Sequence, residues 1–313
     1  MNKSEIRKHL IKGERDKLLL LLQKSDHPLL ERDLLNLAGM DEYELGSGIA
    51  LLRSEGYDIK VLREGKKRKY LLIRFGEITG DNYYRTAGEF NTPILLTSCW
   101  HIGSDGFSVQ AYKELVRDVE RYKVTTVLHL GDLIQGRGIH RMESKDLSEP
   151  KIEKQIDIAI QYLDNIPCPK KLMLGNHEEK LMGMDIGLNT PKIIAEGSRD
   201  TEYCGTVAKF LVNGKYTLLA MHGKGMTAYA KSYYLQKIWR ELIERPNILT
   251  VGHLHYPLIQ PDAGHRMLIV VPTLQRESSY LIWQGITSQV GWIILTHFNG
   301  EEDGFIIRRP VIY

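Results

Sequence analysis

Over its first 78 residues the chain sets leucines at helical spacing in three stretches, Glu14 to Gln23, Leu29 to Leu37 and Asp41 to Ser54. That period predicts three helices, with Asp26 and Asp41 as caps and Gly56 as a stop. The pattern then changes to alternation over Tyr57 to Arg63 and Lys69 to Arg74, either side of Glu64-Gly65-Lys66-Lys67-Arg68, which predicts a hairpin. From residue 93 onward short apolar runs alternate with helical stretches: Ile94 to Thr97, helix Val109 to Tyr122, Thr125 to Leu130, helix Lys151 to Asp164, Lys171 to Leu174. This is the signature of an α/β sheet. Further on, Lys209 to Val212 meets Tyr216 to Met221 at Asn213-Gly214, and Trp292 to Phe298 meets Gly304 to Arg308 at Asn299-Gly300. Those turns add hairpins, so the sheet is expected to be mixed in direction. Gly80 to Phe90 reads as a linker. The expected organisation is a small domain over residues 1–78, a linker over 79–92 and a larger domain over 93–313.

Three helices and a basic hairpin resemble a winged helix, an arrangement that docks nucleic acids or proteins. Charge sharpens the picture. Residues 1–78 carry 16 Lys+Arg against 13 Asp+Glu and the remaining residues hold 26 of each, so the whole formal charge of +3 sits in the small domain. Lys66, Lys67, Arg68 and Lys69 are candidate contacts to nucleic-acid phosphates. Ser47 to Arg53 is poor in base-reading side chains, which favours phosphate contact over sequence-specific reading. The overall balance, 42% hydrophobic and 26% charged, is that of a globular protein. Apolar runs such as Pro93 to Leu96 fall well short of the roughly 20 residues that span a bilayer, and MNKSEIRKHL carries no signal-peptide stretch. A cytoplasmic protein without a membrane partner is expected. Cys99, Cys168 and Cys204 are too scattered for a disulfide framework. Cys168 and Cys204 read as packing residues.

Chemistry-bearing residues stand where the apolar strands end. Ile94-Leu95-Leu96-Thr97 runs into Ser98-Cys99-Trp100-His101, Val127-Leu128-His129-Leu130 into Gly131-Asp132, and Leu172-Met173-Leu174 into Gly175-Asn176-His177-Glu178. Leu218-Leu219-Ala220-Met221 runs into His222-Gly223, and Leu249-Thr250-Val251 into Gly252-His253-Leu254-His255. In open α/β sheets, ligands bind beyond the carboxyl ends of the strands. A thiol, a carboxylate, an amide and several imidazoles delivered to that edge make a donor set suited to divalent cations.

These ordered segments resemble the calcineurin-like metallophosphoesterases, whose motifs run Asp-x-His, Gly-Asp, Gly-Asn-His-Glu or Asp, a lone His, and Gly-His-x-His. The resemblance covers about residues 93–260. It implies an α/β fold built as a mixed-sheet β-sandwich flanked by helices, here preceded by the small α+β winged-helix domain. It implies two divalent metal ions (Mn, Zn or Fe), with His101 and His255 on the first, Asn176, His222 and His253 on the second, and Asp132 bridging both. His177 would meet the phosphate and assist the leaving oxygen without ligating. Catalysis would rest on His177 and Asp132. A carboxylate bridge holding two cations roughly 3.5 to 4 Å apart suits an in-line phosphoryl displacement by hydroxide. Glu178 is a candidate supporting partner.

The departure from the family pattern is Cys99, which stands where the first motif has Asp. A thiolate favours Zn or Fe over Mn or Mg at the first site. Arg137, His140 and Arg141, following Asp132, are candidate substrate contacts, and Lys224 could add charge. The run Gly131-Asp132-Leu133-Ile134-Gln135-Gly136-Arg137-Gly138 also resembles the corresponding stretch of the proofreading subunit of archaeal D-family DNA polymerases. The expected function is therefore a phosphodiesterase or nuclease acting on DNA or RNA, with nucleic acid as partner and a homo-oligomer or a replication or repair protein as further candidates. Two alternatives stay open: a phosphomonoesterase or small-nucleotide phosphodiesterase, and a catalytically inert DNA-binding or assembly subunit.

Overall fold

The computed structural model describes residues 16–22, 29–54, 59–64, 67–72, 86–139, 145–183, 188–223, 232–242, 245–262, 266–283, 285–299 and 303–309. The chain divides into two compact units, Met1–Glu77 and Ile78–Tyr313.

In the first unit, helix α1 (16–22) is followed by strand β1 (Leu29–Leu30), helices α2 (Glu31–Ala38) and α3 (Glu42–Ser54), and strands β2 (Ile59–Glu64) and β3 (Lys67–Leu72). Leu29 and Leu30, expected as the start of a helix, instead pair with Tyr70 and Lys69 of β3. Helix α2 starts only at Glu31, because Leu30 is extended, with ψ at 141°. Helix α3 opens as a capping box: Asp41 Oδ1 accepts the N–H of Glu44, and Glu44 Oε2 accepts the N–H of Asp41, both at 2.8 Å. Leu18, Leu22, Leu34, Leu45, Ile49 and Leu52 close a core under the hairpin. The expected cap Asp26, the stop Gly56 and the hairpin tip with Lys66 lie outside the described residues.

The second unit begins with β4 (Thr86–Phe90), a strand where a linker was expected; it pairs in parallel with β9 (Val207–Val212) at the edge of a sheet. Then follow β5 (Ile94–Thr97), α4 (Val109–Arg121), β6 (Thr126–His129), α5 (Ile152–Asp164), β7 (Lys170–Leu172), α6 (Asn176–Gly183), α7 (Thr190–Gly197) and β8 (Thr201–Tyr203). After β9 come β10 (Tyr216–Met221), α8 (Tyr233–Glu241), β11 (Ile248–Val251), β12 (Leu258–Asp262), β13 (Arg266–Val270), α9 (Ser279–Trp283), β14 (Trp292–Phe298) and β15 (Asp303–Arg308). Two six-stranded mixed sheets result, ordered β12-β13-β11-β10-β9-β4 and β15-β14-β5-β6-β7-β8.

Period-2 alternation decides how the layers stack. On β5, Ile94 and Leu96 enter a core shared with Phe210, Ala220, Ile248 and Ile269 of the other sheet, so the two sheets pack face to face. Leu95 points the other way, into a core with Leu115 of α4 and Ala159 and Leu163 of α5. On the far side Leu219, Leu249 and Leu268 pack against Leu235 and Trp239 of α8. Strands buried on both faces need continuous apolar runs, which is why β5, β6 and β11 show no polar alternation. Among the described residues no helix is long and apolar enough to cross a membrane.

Candidate metal centre

Strands β5, β6 and β7 are neighbours and parallel, so their carboxyl ends deliver Cys99 and His101, Asp132, and Asn176 and His177 to one edge. Strands β10 and β11, parallel in the facing sheet, deliver His222, His253 and His255. The turns are sharp. Five of these residues hold positive φ: Cys99 (52°), His101 (52°), Asp132 (55°), His253 (64°) and His255 (56°). Such a conformation costs an ordinary side chain about 1 to 3 kcal/mol, and its concentration at one edge marks a functional locus. Gly175 has a steric reason to be glycine, since a Cβ there would run into Asp132 N and Oδ1.

The side chains meet as ligand sets. Sγ of Cys99 and the donor atoms of His101 and His255 lie within 4.8 Å of one another; so do those of Cys99, Asp132 and His222, and those of His101, Asp132 and His177. Asp132 Oδ2 stands between two imidazoles, 3.8 Å from His101 Nε2 and 3.0 Å from His222 Nε2. His101 Nε2 faces His255 Nε2 at 3.3 Å. His222 Nε2 is also 2.9 Å from Asn176 Oδ1 and 3.3 Å from His253 Nδ1. Two atoms ligating one tetrahedral cation at about 2.1 Å sit roughly 3.4 Å apart, so these spacings suit shared coordination.

Proton placement supports the same fit. A carbonyl only accepts, so His222 Nδ1, 2.6 Å from Leu130 O, must donate to it. A neutral His222 then turns the lone pair of Nε2 toward Asp132 Oδ2 and Asn176 Oδ1, an arrangement of facing acceptors that a cation resolves. Without one, a proton does so: burial opposes the charge on His222, but Asp132, Leu130 O and Glu178 together more than offset it and its pKa is raised. Burial likewise opposes ionisation of Asp132, yet His222, His177 and His101 hold its carboxyl well below the usual range. Burial, then crowding by His177, pushes His101 far down, and burial takes His255 to about 3, leaving both as neutral donors. Burial and Asp132 push the Cys99 thiol well up. Among the described residues, His101 Nδ1 is buried with no hydrogen-bond partner.

Glu178, wholly buried, holds the edge together. Its carboxylate accepts the backbone N–H groups of Asp132 (3.1 Å), Leu133 (2.7 Å), Ile134 (3.1 Å) and Gly175 (3.0 Å), tying the turn after β6 to the turn after β7. Burial and Asp132 raise its pKa. Glu178→Gln puts an amide NH2 against backbone donors, and metal affinity is expected to fall about 10- to 100-fold. Wild-type affinity in a metal titration of Glu178→Gln would refute this tether.

Two supporting residues went unread in the sequence. Gln155 of α5 brackets Gly136, accepting its N–H at 2.8 Å and donating to its C=O at 3.1 Å, and Gln135 O is 2.7 Å from His177 Nδ1. For Gln155 a signal existed: it is a polar residue within the buried stripe Ile156, Ala159, Leu163. Of the expected substrate contacts, Arg137 is exposed, and His140, Arg141 and Lys224 lie outside the described residues. Of the expected hairpin contacts, Lys67 and Arg68 are exposed and Lys69 is half-buried. Arg68 is 3.3 Å from Glu31, which offsets part of its charge.

Fold and site together define a metallophosphoesterase-type protein. The description "Calcineurin-like phosphoesterase" matches residues 92–299, and the chain belongs to that family. Solved structures similar to it include wild-type Vps29 complexed with Zn2+ from Entamoeba histolytica, at 13% identity over 69% of this chain and 97% of that one, with a TM-score of 0.40. Vps29 of Chaetomium thermophilum matches at 12% identity over 70% and 97%, TM-score 0.40, and TT1561 of Thermus thermophilus at 11% over 69% and 97%, TM-score 0.40. No curated protein matches the chain. Family membership makes the chain a metal-dependent phosphoesterase, a hydrolase.

Proposed function

We propose that this phosphoesterase is a dinuclear phosphodiesterase acting on DNA or RNA. The observation that carries the reading is Asp132 Oδ2 set between His101 and His222, each of which faces a further imidazole. One cation would be held by Cys99, His101, His255 and Asp132, and a second by Asp132, Asn176, His222 and His253. When bound, such a pair offsets phosphoryl charge and lowers the pKa of water to roughly 7.

The chain's own residues do the rest. Asp132 keeps its charge, so it can serve both cations at once. His177 N–H is fixed by Asp132 Oδ1 at 2.9 Å, and its ring Nδ1 by Gln135 O, which aims the ring and assigns the Nδ1 proton. Nε2 is then the atom that faces the departing oxygen, and a second proton carried there by the imidazolium form is the one it would pass on. His101 packs edge-on against it, ring centroids 4.5 Å apart, and limits its rotation. The buried setting keeps bulk water away from these contacts.

Nucleic acid as substrate is supported by the first unit. Its order of helix, strand, two helices and hairpin, with β1 antiparallel to β3, supports the winged-helix reading, and exposed Lys67 and Arg68 on the hairpin suit phosphates. The deciding experiment is turnover by the full chain with Mn2+, Zn2+, Fe2+ or chelator on single- and double-stranded DNA, RNA, bis-(p-nitrophenyl) phosphate and p-nitrophenyl phosphate. Metal-dependent cleavage of nucleic acid and the diester is expected. Turnover of the monoester alone removes the diesterase reading, and silence on all substrates leaves a non-catalytic scaffold.

A further inference from the structure

The side chain of Gln155 on α5 is wholly buried, which is costly for an amide unless its donors and acceptor find partners. They do. Oε1 accepts the N–H of Gly136 at 2.8 Å, and Nε2 donates to Gly136 O at 3.1 Å and to Glu149 O at 2.6 Å. This pattern fixes which way the amide faces, since its NH2 meets two carbonyls and its oxygen meets an N–H. Gly103 leaves room for it, because a Cβ there would run into the Gln155 amide.

What the amide holds is one particular peptide group. Gln135 C=O and Gly136 N–H are the two ends of the same planar unit. The N–H end rests on Gln155, and the C=O end lies 2.7 Å from His177 Nδ1. Fixing one end of a planar group fixes the direction of the other, and hydrogen bonds in series polarise one another, so the carbonyl is both aimed and strengthened as an acceptor. Gln135 N–H is anchored too, donating to Ile102 O at 2.8 Å. Beyond that point the backbone belongs to no helix or strand, and Gly136 and Gly138 hold φ of 77° and 78°. A side-chain clamp takes the place of a ladder there.

We infer that Gln155 is a positioning residue: through the Gln135–Gly136 peptide it keeps a proton on His177 Nδ1 and aims Nε2 at the phosphate ester. The inference rests on the reading of His177 as the group that protonates the departing oxygen. In that step the imidazolium gives its Nε2 proton to the oxygen as the P–O bond breaks, and the neutral ring left behind keeps its Nδ1 proton on Gln135 O. A carbonyl held in place stabilises that neutral form. One released from Gln155 lets the ring carry its proton on either nitrogen.

Gln155→Met keeps the length of the side chain and removes its hydrogen bonds to Gly136. In the full-length, Zn2+-loaded chain, 15N NMR of labelled histidines, assigned with His177→Gln, reads the neutral ring directly. The wild type should carry the proton on Nδ1, and Gln155→Met should divide it between the two nitrogens. The second readout is the leaving group. An alkoxide is a strong base that needs a proton to depart, whereas p-nitrophenolate departs without one. For an alkyl ester kcat should fall about 10- to 100-fold, part of the 10²- to 10⁴-fold that a positioned acid supplies, while the p-nitrophenyl ester of the same class stays within about twofold. KM and metal content should not change. Gln155→Glu, which keeps an oxygen against Gly136 N–H, should recover part of the alkyl-ester rate. A wild-type ring protonated on Nε2 overturns the inference even if Gln155→Met fails to fold. So does a Gln155→Met ring still protonated on Nδ1 alone, or an equal loss on both esters, which is what damaged packing would give. If the tautomer responds as stated and the alkyl-ester rate does not, Gln155 keeps its role and the proton-delivery reading of His177 falls.

Discussion

Asp132→Asn will abolish phosphate-ester hydrolysis and strip metal from the protein, whereas His177→Gln will abolish hydrolysis with the metal content intact. The two residues adjoin in space, with His177 N–H donating to Asp132 Oδ1, yet they face different tasks. Asp132 is buried, and His222, His177 and His101 keep it ionised against the cost of burial. Asn keeps the shape but removes the negative charge that two cations would share, and it turns an NH2 toward one of the imidazoles. The loss is several kcal/mol of charge stabilisation, on the order of 10³-fold in rate. For His177 the chemistry at risk is proton delivery, a contribution of about 10²- to 10⁴-fold. The geometry leaves the question sharp, because His177 also falls in a cluster with His101 and Asp132 whose donor atoms lie within 4.8 Å. Elemental analysis of both purified variants beside their rates of phosphate-ester hydrolysis is decisive. Equal metal loss in both would show that His177 ligates.

Cys99→Asp should move metal preference from Zn or Fe toward Mn by at least about tenfold in relative affinity, equivalent to about 1.4 kcal/mol. Cys99 belongs to two of the three ligand clusters, one with His101 and His255 and one with Asp132 and His222. It is fully buried beside a carboxylate, so its thiol stays protonated unless a cation takes the proton's place. A soft thiolate rewards Zn or Fe, while a carboxylate at that position is hard and suits Mn. Metal content after growth in mixed-metal medium, together with turnover in each metal, reads the change. An unaltered profile would place Cys99 outside the coordination sphere. The other two cysteines make a contrast: burial pushes Cys168 up to about 11 and Cys204 up to about 12, and among the described residues neither belongs to a ligand cluster.

Much of the larger unit was legible because its signals are local. Runs such as Ile94 to Thr97 announce a strand buried on both faces through composition alone, and the stripe Ala111, Leu115, Val119 announces the buried side of α4. What failed to show was pairing at a distance. Thr86–Phe90, with its glycine, looks like connecting chain and becomes a strand only because Phe90 packs on Phe210, ring centroids 4.4 Å apart, and β9 offers an open edge. Leu29 and Leu30 fit a helix by composition, and the hairpin strand β3 claims them instead.

The same division runs through the candidate site. The amino-acid sequence by itself determined which side chains stand at strand ends, because a polar residue after a continuous apolar run marks the end of a buried strand wherever the strand lies. It also carried the order of motifs that assigns the family. Only the tertiary structure decided that His101 meets His255 across 154 residues of chain, that Asp132 falls between His101 and His222, and that Glu178 gathers four backbone N–H groups from two turns. Periodicity is set by neighbours within a few positions, whereas convergence depends on the register and packing of two sheets, which is a property of the whole core.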